Sequence, residues 1–249
     1  MRFLSTDTKH LELLLSAIEL GDPQGKADAS FFANHKPGGT LDSTPTPESE
    51  NKWEWEERYI TLLWLSQLLL APFDLSTISS ADIYTREPDI TGLVWPSNAP
   101  GVTLRVVPLA IRYLASSGKE RDAAKILLVR IAMRRDMQEL GILDALVKWS
   151  ISCFSSSSPS EAKSSYYYIG VLSFLAGSLN ASMSTSDMNP YLTAIFQTLQ
   201  GNLNEGIMKI ISSSVVARKS IIKVLRNICV IVSRFRYIFY TCYRLTQGR

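Results

Sequence analysis

The chain has 249 residues, 46% of them hydrophobic and 20% charged, with a net charge of +3 and three cysteines. That is the make-up of a folded protein of one domain, two at most, with enough apolar residues for a sizeable core. Cys153, Cys229 and Cys242 form no CxxC and have no Cys/His ligand spacing, which excludes a disulfide or zinc framework and fits a reducing compartment with the thiols as small core residues.

The opening MRFLSTDTKHLELLL places Asp7, Lys9, His10 and Glu12 where a secretory leader needs an unbroken apolar run, so no signal peptide is expected. The triplet Asn180, Ala181, Ser182 then has no glycosylation role. Residues 1–21 are expected to hold one helix, with Leu11, Leu14, Leu15 and Ile18 on one face and Gly21 as its stop. Residues 22–51, dense in Pro, Gly, Ser and Thr, read as a flexible linker in which Phe31 and Phe32 tuck against a neighbouring helix.

The stretch Trp53 to Leu75 is the expected centre of the fold. Glu54, Glu56 and Glu57 suit a helix start, and from Tyr59 to Ala71 only Thr61, Ser66 and Gln67 are polar. A helix apolar almost all round is expected to be buried almost all round, between layers, and to end at Pro72. Its run of about 13 apolar residues falls short of the roughly 20 that span a bilayer. Phe73 to Ser80 turns the chain, and a Pro-rich connection anchored by Trp95 leads to a helix over 103–115, kinked or delayed by Pro108. Next comes a helix from Lys119 to about Arg134, with Ala124, Leu127, Leu128 and Ile131 as its apolar stripe. A helix from Leu140 to Phe154 follows, the two forming an αα-hairpin. Ser155 to Ser160 is a loop. Helices over 161–180 and 191–199 form a third unit, and a last helix starts near Val215 and runs to about Ile231. Helix pairs recurring in this way, with no strand-like alternation, predict an all-α fold: an α-solenoid of HEAT/armadillo-like repeats over residues 52–231.

Three segments carry a family resemblance: ERYITLLWLSQLLLAPFDL, then YLASSGKERDAAKILLVRIAMRRDM from Tyr113 to Met137, and more weakly ARKSIIKVLRNI from Ala217 to Ile228. They are similar to the N-terminal part of the tubulin-folding cofactor D family of helical-repeat proteins, from about Leu11 to Ile228. The resemblance implies a chaperone-like role in post-chaperonin tubulin folding and heterodimer assembly. The partners it implies are β-tubulin, cofactors C and E and an Arf-like small GTPase, with stimulation of GTP hydrolysis by tubulin. It further implies a cytoplasmic, microtubule-associated location. No nucleic acid, membrane span or small-molecule cofactor is expected. Family members are several times longer, so this chain is expected to be an N-terminal piece.

No motif points to catalysis. The histidines are His10, at a helix start, and His35, in the linker, and neither has a nucleophile beside it in the pattern. Ser117–Glu120, SGKE, resembles a phosphate loop but has Tyr113 in place of its first glycine and Glu120 in place of the magnesium-binding hydroxyl. The candidate partner-binding residues are Lys119, Arg121, Lys125, Arg130, Arg134 and Arg135, a basic set open to two readings: contact with an acidic partner such as tubulin, or a solvated face with local pairs such as Asp122 with Lys125.

The charge is unevenly spread. From Gly206 onward there are nine Lys or Arg and no Asp or Glu, leaving 17 basic against 23 acidic residues before it, a net of −6. The terminal basic stretch fits a helix lying on membrane or nucleic acid, or simply another repeat helix. Lys223, Arg226, Arg234 and Arg236 argue against a membrane span. Residues 232–249 depart from the family pattern and are expected to be a gene-model artefact.

Overall fold

The computed structural model describes residues 9–21, 54–78, 87–155, 163–183, 185–201 and 205–247. Among these the fold is all-α with no strand, an armadillo-type solenoid. Its helices are α1 (Lys9–Gly21), α2 (Trp55–Leu68), α3 (Leu75–Ile78), α4 (Gly101–Leu114), α5 (Glu120–Ala132), α6 (Arg135–Glu139), α7 (Ile142–Ser155), α8 (Ser165–Ala181), α9 (Leu192–Gly201), α10 (Glu205–Ser213) and α11 (Val215–Gln247), with a 3-10 turn at Asn189–Tyr191. The expected linker 22–51, with Phe31 and Phe32, lies outside the described residues, as does Trp53.

Two rows of helices make the solenoid. In one, α2, α5, α8 and α11 stack side by side in that order. The other is built from α1 and α4, then α7, then α9 and α10, each leaning on the first row. One continuous core runs between them, from Leu15 and Ile18 of α1 through Leu127, Trp149 and Phe174 to Val224 and Ile231. The expected stripe of α5, Ala124, Leu127, Leu128 and Ile131, is fully buried.

The helix enclosed on nearly every side is α8, not the expected centre. α8 packs against α4, α5, α7 and α11 and buries residues all round its axis, from Tyr167 through Phe174 to Leu179. α2 is the first described helix of its row and, among the described helices, packs chiefly on α5 and α1; Ile60 remains 61% exposed, and Leu70, just past the helix end, also faces solvent. α8 carries no charged residue, whereas α2 opens with Glu56, Glu57 and Arg58, and α8 also has neighbours on more sides. α2 also stops at Leu68 rather than at Pro72, because the carbonyls of Leu69 and Ala71 turn away to meet Arg134. Its start is a reciprocal cap: Glu54 N–H donates to the Glu57 carboxylate at 2.9 Å.

Other boundaries move for local reasons. α4 begins at Gly101, behind Pro100, and runs through Pro108 without a break. The expected α5–α7 hairpin is interrupted by α6 and by a turn in which Gly141 has φ +84°, a conformation that suits glycine. α5 therefore packs chiefly on α2, α4 and α8, and Leu140 precedes α7 instead of opening it. α8 starts at Ser165, capped by Ser164, whose hydroxyl accepts the Tyr167 N–H. α10 has no counterpart among the expected helices, and α11 continues past Ile231 to Gln247, through most of the divergent tail.

Close approach of the rows is set by Gly170 in α8. A β-carbon there would lie 2.2 Å from the Leu114 carbonyl oxygen of α4, so only glycine permits this crossing. α11 is fixed to α8 by Asn227, a buried amide whose Nδ2 donates to Ala176 O at 2.9 Å. At the other end, Arg105 of α4 ties down α1 through Glu12, Glu19 and Ser16. The Glu19 hydrogen bonds outweigh the cost of burial and hold that guanidinium still more firmly protonated. Trp95 anchors its connection as expected, its indole N–H donating to Pro88 O at 2.8 Å.

Candidate functional site

The six basic candidates all lie on or beside α5, in the middle of the continuous row, but the fold assigns them different tasks. Lys119 is exposed at the N-terminal cap, its ammonium 5.3 Å from the centre of the Trp55 ring. Arg121 turns back to donate to Ser116 O at 3.3 Å. Lys125 pairs with Asp122 at 3.3 Å, the local pair anticipated from their spacing. Its stem lies beside Gly177 of α8.

Arg130 leans the opposite way, to α2, where it donates to the Ser66 hydroxyl at 2.8 Å. It has no carboxylate partner among the described residues, and burial alone lowers its pKa from the ordinary value. Arg135 projects from α6 and is 94% exposed, with Glu139 at 3.7 Å. The six are thus not one contiguous strip: Lys125 and Arg130 flank α5 on its α8 and α2 sides, with Ile126 and Val129 half-buried on the helix between them.

Arg134 is built into the structure. Its guanidinium donates to the carbonyls of Leu69, Ala71 and Phe73, closing the end of α2, and binds Asp136 at 2.9 Å. Asp136 in turn accepts the Leu75 N–H at 2.9 Å and so starts α3. Both side chains are only 12% exposed. Burial acts to raise the Asp136 pKa, but the hydrogen bonds from Arg134, Leu75 N–H and Met137 N–H prevail and hold the carboxyl below its ordinary range.

Glu120 resolves the phosphate-loop resemblance. It is buried, pairs with Arg58 of α2 at 3.1 Å and accepts from the Ser116 hydroxyl. The side chain that occupies the magnesium-ligand position is therefore consumed in joining α2 to α5. Sequence reading missed the roles of Arg58, Glu120 and Asp136, because each acts on a partner about 60 residues away and no local spacing signals it. His10 is half-buried in α1 with Nδ1 enclosed, rather than fully solvated, and His35 lies outside the described residues. Among the described residues no three His, Cys, Asp or Glu side chains gather as metal ligands, and no helix is long and apolar enough to cross a membrane.

An extended two-row helical stack of this kind defines a helical-repeat protein of the armadillo class. The model of the tubulin-specific chaperone D-like ARM repeat matches residues 1–154, and the chain belongs to that family. It is also 29% identical over 170 residues to tubulin-folding cofactor D of Schizosaccharomyces pombe, an alignment covering 66% of this chain and 13% of the relative. The chain thus spans a small part of that relative's length. The family match includes the first two resembling segments and stops short of Ala217–Ile228. No solved structure matches the chain.

Proposed function

We propose that this chain acts as a tubulin-folding cofactor D-like chaperone, binding β-tubulin during post-chaperonin assembly of the αβ-heterodimer. The family membership carries this reading, and the relative, a tubulin-folding cofactor D, supplies the cargo. The contact runs along α2 and α5, from exposed Trp55 and Lys119 at one end of the pair to Arg130, beside Ser66, about three helical turns away. Arg130 is the central group: a half-buried guanidinium whose one partner is a neutral hydroxyl gains most from a carboxylate brought by a partner. Lys119, Lys125 and Arg135 add dispersed positive charge, while Arg121 and Arg134 serve the fold.

The chain does not catalyse the reaction; it works with cofactors C and E and an Arf-like small GTPase, and contributes to stimulating GTP hydrolysis by tubulin. Its place is the cytoplasm, in association with microtubules. Pull-down of purified αβ-tubulin by the full chain at increasing salt tests this. Saturable capture that weakens gradually with salt supports it, and capture no greater than by an unrelated basic helical protein would sink it. A generic adaptor for another cargo is the second reading, favoured in that event by the dispersed rather than clustered cations.

A further inference from the structure

α1 is lightly held for a helix of 13 residues. Among the described helices it packs chiefly on α2 and α4. Three of its described side chains, Leu11, Leu15 and Ile18, are buried, where α8 buries eleven residues. Their spacing of four and three residues puts them in one stripe along the helix. One position on from each, Glu12, Ser16 and Glu19 form a second stripe, and all three meet a single group, the Arg105 guanidinium of α4. The Glu19 carboxylate accepts from it twice, at 2.8 and 3.0 Å. The Glu12 side chain is 28% and that of Glu19 42% exposed, so water and salt reach this latch.

The rest of the solenoid keeps its own supports. α2 packs on α5, and α4 on α5 and α8, so both retain neighbours when α1 is away. Residues 22–54 separate α1 from α2, a length of chain that lets α1 leave without drawing α2 with it. We propose that α1 is a releasable strap: it leaves its seat on α2 and α4 as a unit while the other helices stay folded, and the open seat takes a helix with the same two stripes. The chemistry of that occupant is read from α1 itself. It needs Leu or Ile at three positions spaced as Leu11, Leu15 and Ile18, and carboxylates placed as Glu12 and Glu19 for Arg105. A helix with lysines there would set like charges against Arg105, and one with neither would leave that guanidinium, 18% exposed, without a counter-ion. Tethering favours α1 over a free competitor, so the seat is closed until the latch weakens or the competitor is in excess. The strap uses none of Trp55, Lys119 or Arg130 and is independent of the tubulin reading.

The test is hydrogen–deuterium exchange of the full chain, read by mass spectrometry. Amides of α1 are expected to exchange about tenfold or more faster than those of α2, α4 and α8, and salt at about 0.5 M to accelerate α1 further while α8 is unchanged. Glu12→Gln with Glu19→Gln accelerates α1 about tenfold and leaves α8 as in the parent. A fluorescein-labelled peptide of the α1 sequence then reads the seat by anisotropy. It binds this double variant saturably, about tenfold tighter than the parent, whose own strap competes. It binds Arg105→Gln about tenfold more weakly than the double variant, because there the strap is released but the seat has lost its cation. Exchange of α1 only in step with α2 and α4 would overturn the proposal. So would peptide binding that is absent from the double variant, or equal in the double variant and the parent, or equal in the double variant and Arg105→Gln.

Discussion

Replacing Arg134 with Met keeps a stem of similar length and removes the guanidinium that joins α2, α3 and α6. Three carbonyls, of Leu69, Ala71 and Phe73, lose their donor, and Asp136 is left 12% exposed without its counter-ion. A hydrogen bond to a charged group contributes about 1.5–3 kcal/mol net. Water reaches part of this site, since Phe73 is exposed, so the losses do not simply add. Breaking a buried pair by removing one partner costs about 3–5 kcal/mol. We take the lower end, about 3 kcal/mol, equivalent to a fall of roughly 6–12 °C in Tm for a chain of this size. Urea titration and thermal melting followed by circular dichroism measure it. Arg134→Lys is expected not to rescue, because an ammonium cannot fork towards several carbonyls. A double-mutant cycle with Asp136→Asn should show coupling of about 1 kcal/mol or more. A melting point within about 2 °C of the parent, with no coupling, would refute the clamp and return Arg134 to the set of free surface cations.

The same pair gives a pH dependence. The folded pKa of Asp136 is depressed, so its contribution is fully present above the ordinary carboxylate pKa of about 4 and is lost as pH falls through the lower folded value. Stability should therefore decline in acid, and less steeply in Arg134→Met. Gly170→Ala forces a methyl group towards Leu114 O; overpacking of about 1–3 kcal/mol exceeds the roughly 1 kcal/mol that alanine gains in helix propensity, so melting falls. Leu65→Asp places a charge at a fully buried position and should abolish cooperative unfolding, whereas Trp64→Asp, at a half-buried one, should cost less. Burial raises the Cys153 pKa despite its contact with the Tyr167 hydroxyl at 3.1 Å, so iodoacetamide at mild alkaline pH should modify exposed Cys229 before Cys153, which stays protected until the chain unfolds; mass spectrometry of the digested protein reads the order.

Periodicity made the helices and the core legible. Ala124, Leu127, Leu128 and Ile131 announce a buried stripe whatever lies against it, because the spacing itself defines a face. Which helix would be enclosed was not legible. Ile60 of α2 is as apolar as Val171 and Leu172 of α8, yet it is exposed because α2 is the first described helix of its row. The candidate site was half legible. Asp122 with Lys125 follows from spacing along one helix. Arg134 reads as one more surface cation, because the carbonyls it binds are separated from it by more than 60 residues of chain. Glu120 is legible as a failure of the phosphate-loop pattern, but only its pairing with Arg58 explains what it does instead.

The most direct test of the tubulin-binding account is equilibrium binding of labelled αβ-tubulin to the chain and to a variant carrying Lys119→Glu, Arg130→Glu and Arg135→Glu, each shown first to melt cooperatively. The account predicts saturable binding by the parent and a loss of about tenfold or more in the variant, most of it traceable to Arg130. Equal binding by both, or none by the parent, would contradict it.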